Sequence, residues 1–86
     1  PAAAQAYDRE ITGMRALVTE RRKDLDPSTV RVLERNLRII DQAIAESRAA
    51  LTQDPASGLL AEQLTRAMKR KLELLRTAAD LPARTS

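Results

Sequence analysis

Few side chains in this sequence have the type and setting that chemistry needs, and Lys71 is the first of them. It falls inside the apolar arc of a predicted third helix, where an amine is unusual. One interpretation is a buried amine, or a polar register pin that faces Asn36 on the neighbouring helix. The other is a side chain that lays its stem on the apolar face and carries its charge to water. We favour the second, and we interpret Arg21, which interrupts the apolar side of the first helix, in the same way.

Carboxylates are the other candidate reactive groups. Asp24 and Asp26 lie close together, but a calcium loop needs more oxygen ligands at fixed spacing, so we interpret both as turn and capping residues. The sequence has no His and no Cys. This composition excludes thiolate nucleophiles and the usual ligands of zinc, iron and copper. With only Gly13 and Gly58, a glycine-rich phosphate loop cannot form. We therefore predict a protein that is not an enzyme, with no catalytic, metal-binding or cofactor-binding residue.

The elements that position these side chains are predicted to be helices. Ala, Leu, Arg and Glu dominate the 86 residues, and Tyr7 is the one aromatic residue. From Val30 onward, apolar or small residues recur at alternating steps of three and four, which is the seam of a coiled-coil-like helix. The seam consists of Val30, Leu33, Leu37, Ile40, Ile44, Ser47 and Leu51. A second row through Val32 and Ile39 widens the apolar arc, so we expect this second helix to lie in the middle and contact two others.

Aspartate and proline mark the helix boundaries. Asp26 is predicted to cap the second helix, with Pro27 in its first turn. Asp54 and Pro55 repeat the pattern before the third helix, although Ser57 is a competing cap because Gly58 follows it. We expect helices at about 5–25, 27–52 and 56–80 and a tail at 82–86. Both links are short, which favours antiparallel neighbours.

The predicted fold is therefore a single all-α domain over residues 1–86, an elongated up-down-up three-helix bundle with coiled-coil-like packing. The sequence leaves open whether the third helix folds back onto the first or joins another chain. A thin aliphatic bundle of this size shields its apolar rows poorly, so we expect a homodimer or a higher helical oligomer. The predicted interface residues lie on the second and third helices: Val32, Ile39, Leu72, Leu75 and Ala79.

Charge and hydropathy exclude several kinds of partner. The net charge of +3 comes from 15 basic and 12 acidic residues. Acidic residues interrupt each basic face, and no aromatic cluster is present to stack on bases, so we expect no nucleic-acid binding. The longest apolar run is far below the roughly 20 residues of a membrane span. Because the chain opens at Pro1 without Met, we expect it to be an excised fragment or a processed chain, with neighbouring segments missing.

Two stretches carry a family resemblance. LDPSTVRVLERNLRIIDQAIAESRAAL, followed by DPASGLLAEQLTRAMKRKLELLRTAADLPA, resembles the helical segment after the membrane span in membrane-anchored anti-sigma factors of the zinc-binding type in bacteria. The Asp-Pro junctions and the order ERNL, IDxAIAESRAAL are its distinctive parts. The resemblance covers about Tyr7 to Ala83. It implies that the zinc-binding domain, the transmembrane helix and the sigma-binding activity all lie outside these residues.

The functional expectation combines both arguments. We expect a helical interaction or oligomerisation module, the extracytoplasmic domain of a membrane-anchored transcription regulator that serves self-association or signal sensing. A sigma factor would be a partner only through the segment that is absent here, and the membrane only through the missing transmembrane helix. The alternative is a free-standing cytoplasmic coiled-coil adaptor or a nucleic-acid-associated protein.

Overall fold

The computed structural model describes residues 2–84 and shows three helices and no strand in that range. Helix α1 spans Ala2–Arg21 and continues into one 3₁₀ turn, Arg22–Asp24. Helix α2 spans Pro27–Gln53, and helix α3 spans Gly58–Asp80. The three helices pack against one another as a bundle, which confirms the predicted all-α fold. Residues 85 and 86 of the predicted tail lie outside the described residues.

The third helix, and not the second, is the middle of the bundle. Helix α3 packs extensively against both α1 and α2, whereas α1 and α2 have no comparable contact with each other. The expectation that α2 lies in the middle is therefore wrong. The reason is that the second apolar row of α2 stays at the surface, where Val32 and Ile39 are 47% and 63% exposed. Helix α3 instead has the largest buried set of the three helices: Leu64, Met68, Leu72, Leu75 and Ala78.

The core follows from narrow stripes on the two outer helices. Helix α1 buries one residue every seven, at Ala4, Ile11 and Val18, which keeps a single stripe against α3. Helix α2 buries Val30, Leu33 and Ile40. Each outer helix thus buries one apolar stripe, and α3 packs against both outer helices with a wider face. The third helix folds back within its own chain, which decides the alternative that the sequence left open.

The outer helices are joined to each other at the surface by ion pairs. Arg22 meets Glu34 at 2.9 Å, and Arg48 meets Asp8 at 3.1 Å. These contacts pair the end of α1 with the start of α2 and the start of α1 with the end of α2, as an antiparallel arrangement requires. The Cα atoms extend over 52 × 21 × 14 Å, so the bundle is an elongated body with one thin dimension.

Candidate interaction surfaces

Two exposed and two half-buried aliphatic residues form a strip along the outer side of the α2–α3 contact, which we call the outer strip: Val32, Ile39, Leu74 and Leu81. Val32 and Ile39 come from the second apolar row of α2, and Leu74 and Leu81 are half-buried residues seven positions apart at the edge of α3 and its C-terminal cap. Two shallow cavities of about 330 and 370 Å³ follow this strip, and Asn36 lines both. Helices α2 and α3 cover each other's inner apolar residues, but no part of residues 2–84 covers the outer side of their contact.

Charges of both signs border the outer strip. Arg70 and Glu73 of α3 line the same cavity as Ile39 and Leu74. Neither residue takes part in an ion pair among residues 2–84. The strip is therefore an apolar row next to a cation and an anion one turn apart. When two copies of such a surface meet, apolar side chains can face apolar side chains and each charge can face its opposite.

The five predicted interface residues divide into two groups. Val32 and Ile39 lie at the surface as expected. Leu72 and Leu75 are only 2% and 0% exposed, so the prediction that they are poorly shielded is wrong. They are buried because α3 is the middle helix and directs them into the core. Ala79 is half-buried and packs at the edge of the same core.

Lys71 and Asn36, the two candidate register pins, do not meet. The Lys71 ammonium donates to the Asp41 carboxylate of α2 at 2.5 Å, and the lysine side chain is 12% exposed. The lysine side chain is therefore largely buried, and its charge ends on an acid of α2. The favoured interpretation, in which the charge is carried out to water, is wrong. The predicted pairing with Asn36 is wrong because Asn36 lies at the surface, on the outer strip.

The two predicted capping aspartates have different outcomes. Asp26 caps α2: its carboxylate accepts the Ser28 backbone N–H at 2.8 Å and the Ser28 hydroxyl at 2.6 Å. These bonds, first that from the Ser28 hydroxyl, hold the pKa of Asp26 below its usual value of 3.8. Asp54 does not cap α3. Ser57 does, and its hydroxyl accepts the Leu60 N–H at 3.1 Å, so the competing cap is the correct one.

Arg21 has a role that the sequence does not reveal. Its guanidinium donates to the backbone carbonyl oxygens of Ala78 and Ala79, in the last turn of α3. The Ala78 carbonyl also accepts the backbone N–H of Leu81, the C-cap residue, at 3.3 Å. A cation at these last carbonyls also complements the helix dipole. The sequence shows only a charge that interrupts an apolar stripe. Its target is a backbone group 57 or 58 residues away, which no local pattern reports.

A second concave region lies where α1 turns into α2. This junction pocket has a volume of about 550 Å³, and its lining includes Arg22, Lys23, Arg31 and Arg84 around the apolar residues Leu25, Pro27 and Val30. The C-terminal segment crosses this end of the bundle, where the Arg84 backbone N–H donates to the Asp24 carbonyl oxygen at 2.7 Å. Three separate segments of the chain thus bring cations to one place.

Residues 2–84 offer neither a metal site of clustered side chains nor a membrane span. No three acidic, His or Cys side chains in that range lie close enough together to hold a metal ion. No helix in the same range is both long enough and apolar enough to cross a membrane.

No family model, curated protein or solved structure matches this chain.

Proposed function

We propose that this chain is a non-enzymatic helical interaction module that self-associates through the outer strip. The observation that carries the proposal is the row formed by Val32, Ile39 and their α3 neighbours, in which exposed aliphatic residues recur two helical turns apart on α2, with Asn36 between them. Single exposed aliphatic residues are ordinary on a protein surface, but an apolar groove with polar borders is typical of a partner surface.

The size of the exposed surface supports a second copy as the occupant. A compact protein of 9.5 kDa exposes about 5,000 Å², and this chain exposes 5989 Å². The difference is close to the roughly 800 Å² that each partner buries in a standard interface. The radius of gyration, 14.6 Å, likewise exceeds the about 12 Å of a compact chain of this length.

The charges beside the outer strip favour a symmetric dimer. A two-fold axis brings the same patch of two copies together, so each residue must meet something that already belongs to the patch. Arg70 and Glu73 satisfy this condition, because each can pair with its opposite on the second copy. The apolar rows of the two copies then pack against each other, and the two thin bundles form one thicker dimer.

Ile39→Asp tests this arrangement. The wild-type chain should be a dimer of twice 9.5 kDa by light scattering at tens of micromolar protein. Ile39 is 63% exposed, so aspartate there should leave the bundle folded and dissociate the dimer, because an interface cannot bury an unpaired carboxylate. Circular dichroism checks that the helix content is retained.

Leu17→Asp is the matched control. Leu17 is also aliphatic and 52% exposed, but it lies on α1, away from the outer strip. This variant should remain a dimer. A stable wild-type monomer at these concentrations would contradict the proposal, and so would a dimer that Leu17→Asp dissociates and Ile39→Asp does not.

The cellular setting that we propose is the extracytoplasmic side of a bacterial membrane, as part of a membrane-anchored transcription regulator. Its support is the resemblance of residues 7–83 to anti-sigma factors, and a self-associating module suits a regulator whose signal changes its assembly. The gene sequence upstream of Pro1 tests it. A hydrophobic span preceded by a Cys and His cluster is the expected result. A start codon next to Pro1, with neither feature, would favour the cytoplasmic adaptor.

A further inference from the structure

The junction pocket differs from the outer strip in position and in chemistry. Its floor is apolar and consists of buried residues, since Leu25 is 3% exposed and Val30 is 8% exposed. Its wall is basic and comes from three segments: Lys23 from the 3₁₀ turn, Arg31 from α2 and Arg84 from the C-terminal segment. A volume of about 550 Å³ lies within the range of small-molecule sites, roughly 300–1,000 Å³.

Two carboxylates near this pocket, those of Glu34 and Asp26, already accept hydrogen bonds. Glu34 is the acidic residue in the pocket wall, and its carboxylate accepts from Arg22 at 2.9 Å. Asp26 lies just outside the wall and binds Ser28; the charge of Arg84 is the weakest of the influences that lower its pKa. Asp24 lies in the same turn, and its backbone carbonyl accepts from the Arg84 N–H. Within residues 2–84, Lys23, Arg31 and the Arg84 side chain form no ion pair.

The whole net charge of the chain belongs to this half of the bundle. Residues 15–38 and 73–84 contain nine basic and six acidic residues, a balance of +3. Residues 1–14 and 39–72 contain six of each, a balance of zero. The two halves together give the +3 of the chain. The positive potential therefore concentrates at the end of the bundle that carries the junction pocket.

From this geometry we infer that the junction pocket binds a small amphipathic oxyanion, a phosphate or carboxylate group attached to a short apolar body. The guanidinium groups of Arg31 and Arg84 and the ammonium group of Lys23 would hold the oxygens, since charge-assisted hydrogen bonds to oxyanions are the strong ones. Leu25 and Val30 would cover the apolar body. A free organic anion and an anionic lipid headgroup share this chemistry.

Hexyl phosphate is the probe that tests the inference, with inorganic phosphate at the same ionic strength for comparison. In ¹⁵N-labelled protein, hexyl phosphate should cause saturable amide shifts at Lys23, Leu25 and Arg31. It should bind more tightly than inorganic phosphate, because it also covers the apolar floor. Vesicles of phosphatidylglycerol form the second arm. Recruitment to them identifies a lipid headgroup as the source, and saturable binding of hexyl phosphate without recruitment identifies a free anion.

The decisive variant replaces Lys23, Arg31 and Arg84 together with Gln. It should weaken hexyl phosphate binding by at least about tenfold, because it removes three charged donors at once. The control replaces Arg9, Arg38 and Lys69 with Gln, which removes the same charge from exposed positions outside the pocket. Its affinity should stay within about twofold of the wild type. Absence of saturable binding, or equal losses in the two variants, would overturn the inference. Neither variant touches the outer strip, so a failure here is distinguishable from a failure of self-association.

Discussion

An Asp-Pro dipeptide occurs at both links between helices, and the two links are built in different ways. At the first link, Asp26 accepts hydrogen bonds from Ser28 and Pro27 is the first residue of α2. At the second, Asp54 follows the last residue of α2, and its backbone N–H donates to the Ala50 carbonyl. Helix α3 starts only after Ser57. One Asp-Pro pair begins a helix, and the other belongs to the turn that ends one.

The first link also takes part in tertiary structure, and the second does not. Leu25 is buried at the first link, and Asp24 accepts a hydrogen bond from the Arg84 backbone. Arg21, just before it, bonds to the end of α3. Residues 54–56 are exposed, and the hydrogen bonds recorded for the second link join near neighbours in sequence. One end of the bundle is therefore closed by contacts between segments, and the other by local turn geometry.

The largest expected difference between the two ends comes from Leu25. Leu25→Ala should lower the free energy of unfolding by about 2–5 kcal/mol, because it leaves a cavity under the first link. Leu59→Ala, at the start of α3, is the control at the other end. Leu59 is 66% exposed, so its loss should change stability by less than about 0.5 kcal/mol. Urea denaturation at two protein concentrations measures both and separates folding from assembly. Equal costs would mean that the two ends are closed equally tightly.

A smaller difference should separate two arginines. Arg21→Gln removes the charged donor at the C-terminal carbonyls of α3 and should cost about 1–2 kcal/mol, since a partly buried cation at a helix end is worth about that much. Arg48→Gln removes an exposed ion pair with Asp8 near the other end. The side chains of Arg48 and Asp8 are 50% and 53% exposed, so the loss of their ion pair should lower the free energy of unfolding by less than about 1 kcal/mol. The same denaturation series ranks the two. If Arg48→Gln proved the more costly, the guanidinium of Arg21 would not be a structural cap.

The sequence predicted those parts of the fold that depend on local pattern. The three helices, the start of α2 at Pro27 and the end of α3 at Asp80 follow from periodicity, capping and Pro82. It mislocated the start of α3, because Asp-Pro and Ser-Gly compete within five residues and only the backbone path decides between them. It also did not show that Arg21 bonds to α3, since that contact depends on how the helices are brought together.

The main error was the prediction that α2 is the middle helix. It explains why Leu72 and Leu75 were wrongly predicted to lie at the interface. A wide apolar arc has two physical outcomes: a second helix in the same chain covers it, or it remains at the surface. The sequence shows the arcs of α2 and α3 but not which of them is covered. Helix α3 was covered, so Leu72 and Leu75 became core, whereas Val32 and Ile39 remained exposed. The candidate partner surface thus consists of the apolar residues that no helix of the same chain covers.

A third difference is expected between the two aspartates themselves, and it depends on pH. At neutral pH, Asp26→Ala should lower the unfolding midpoint by several degrees, because it removes the cap of α2. Asp54→Ala should leave the midpoint nearly unchanged, since Asp54 contributes its backbone to the turn. Thermal unfolding followed by circular dichroism measures both.

The pH dependence identifies the charge on the Asp26 cap. The pKa of Asp26 in the folded chain lies below 3.8, so the folded state binds this proton less readily than the unfolded state. Its contribution to stability is therefore complete above pH 3.8 and is lost as the pH falls through the lowered pKa. The deficit of Asp26→Ala should be constant from neutral pH downward and then shrink below pH 3.8. Ser57→Ala removes the cap of α3, at a cost of about 0.5–2 kcal/mol, but a hydroxyl does not titrate in this range. Its deficit should therefore show no such decline. A deficit of Asp26→Ala that persists undiminished in acid would mean that the cap works through hydrogen bonding alone, without the charge of the carboxylate.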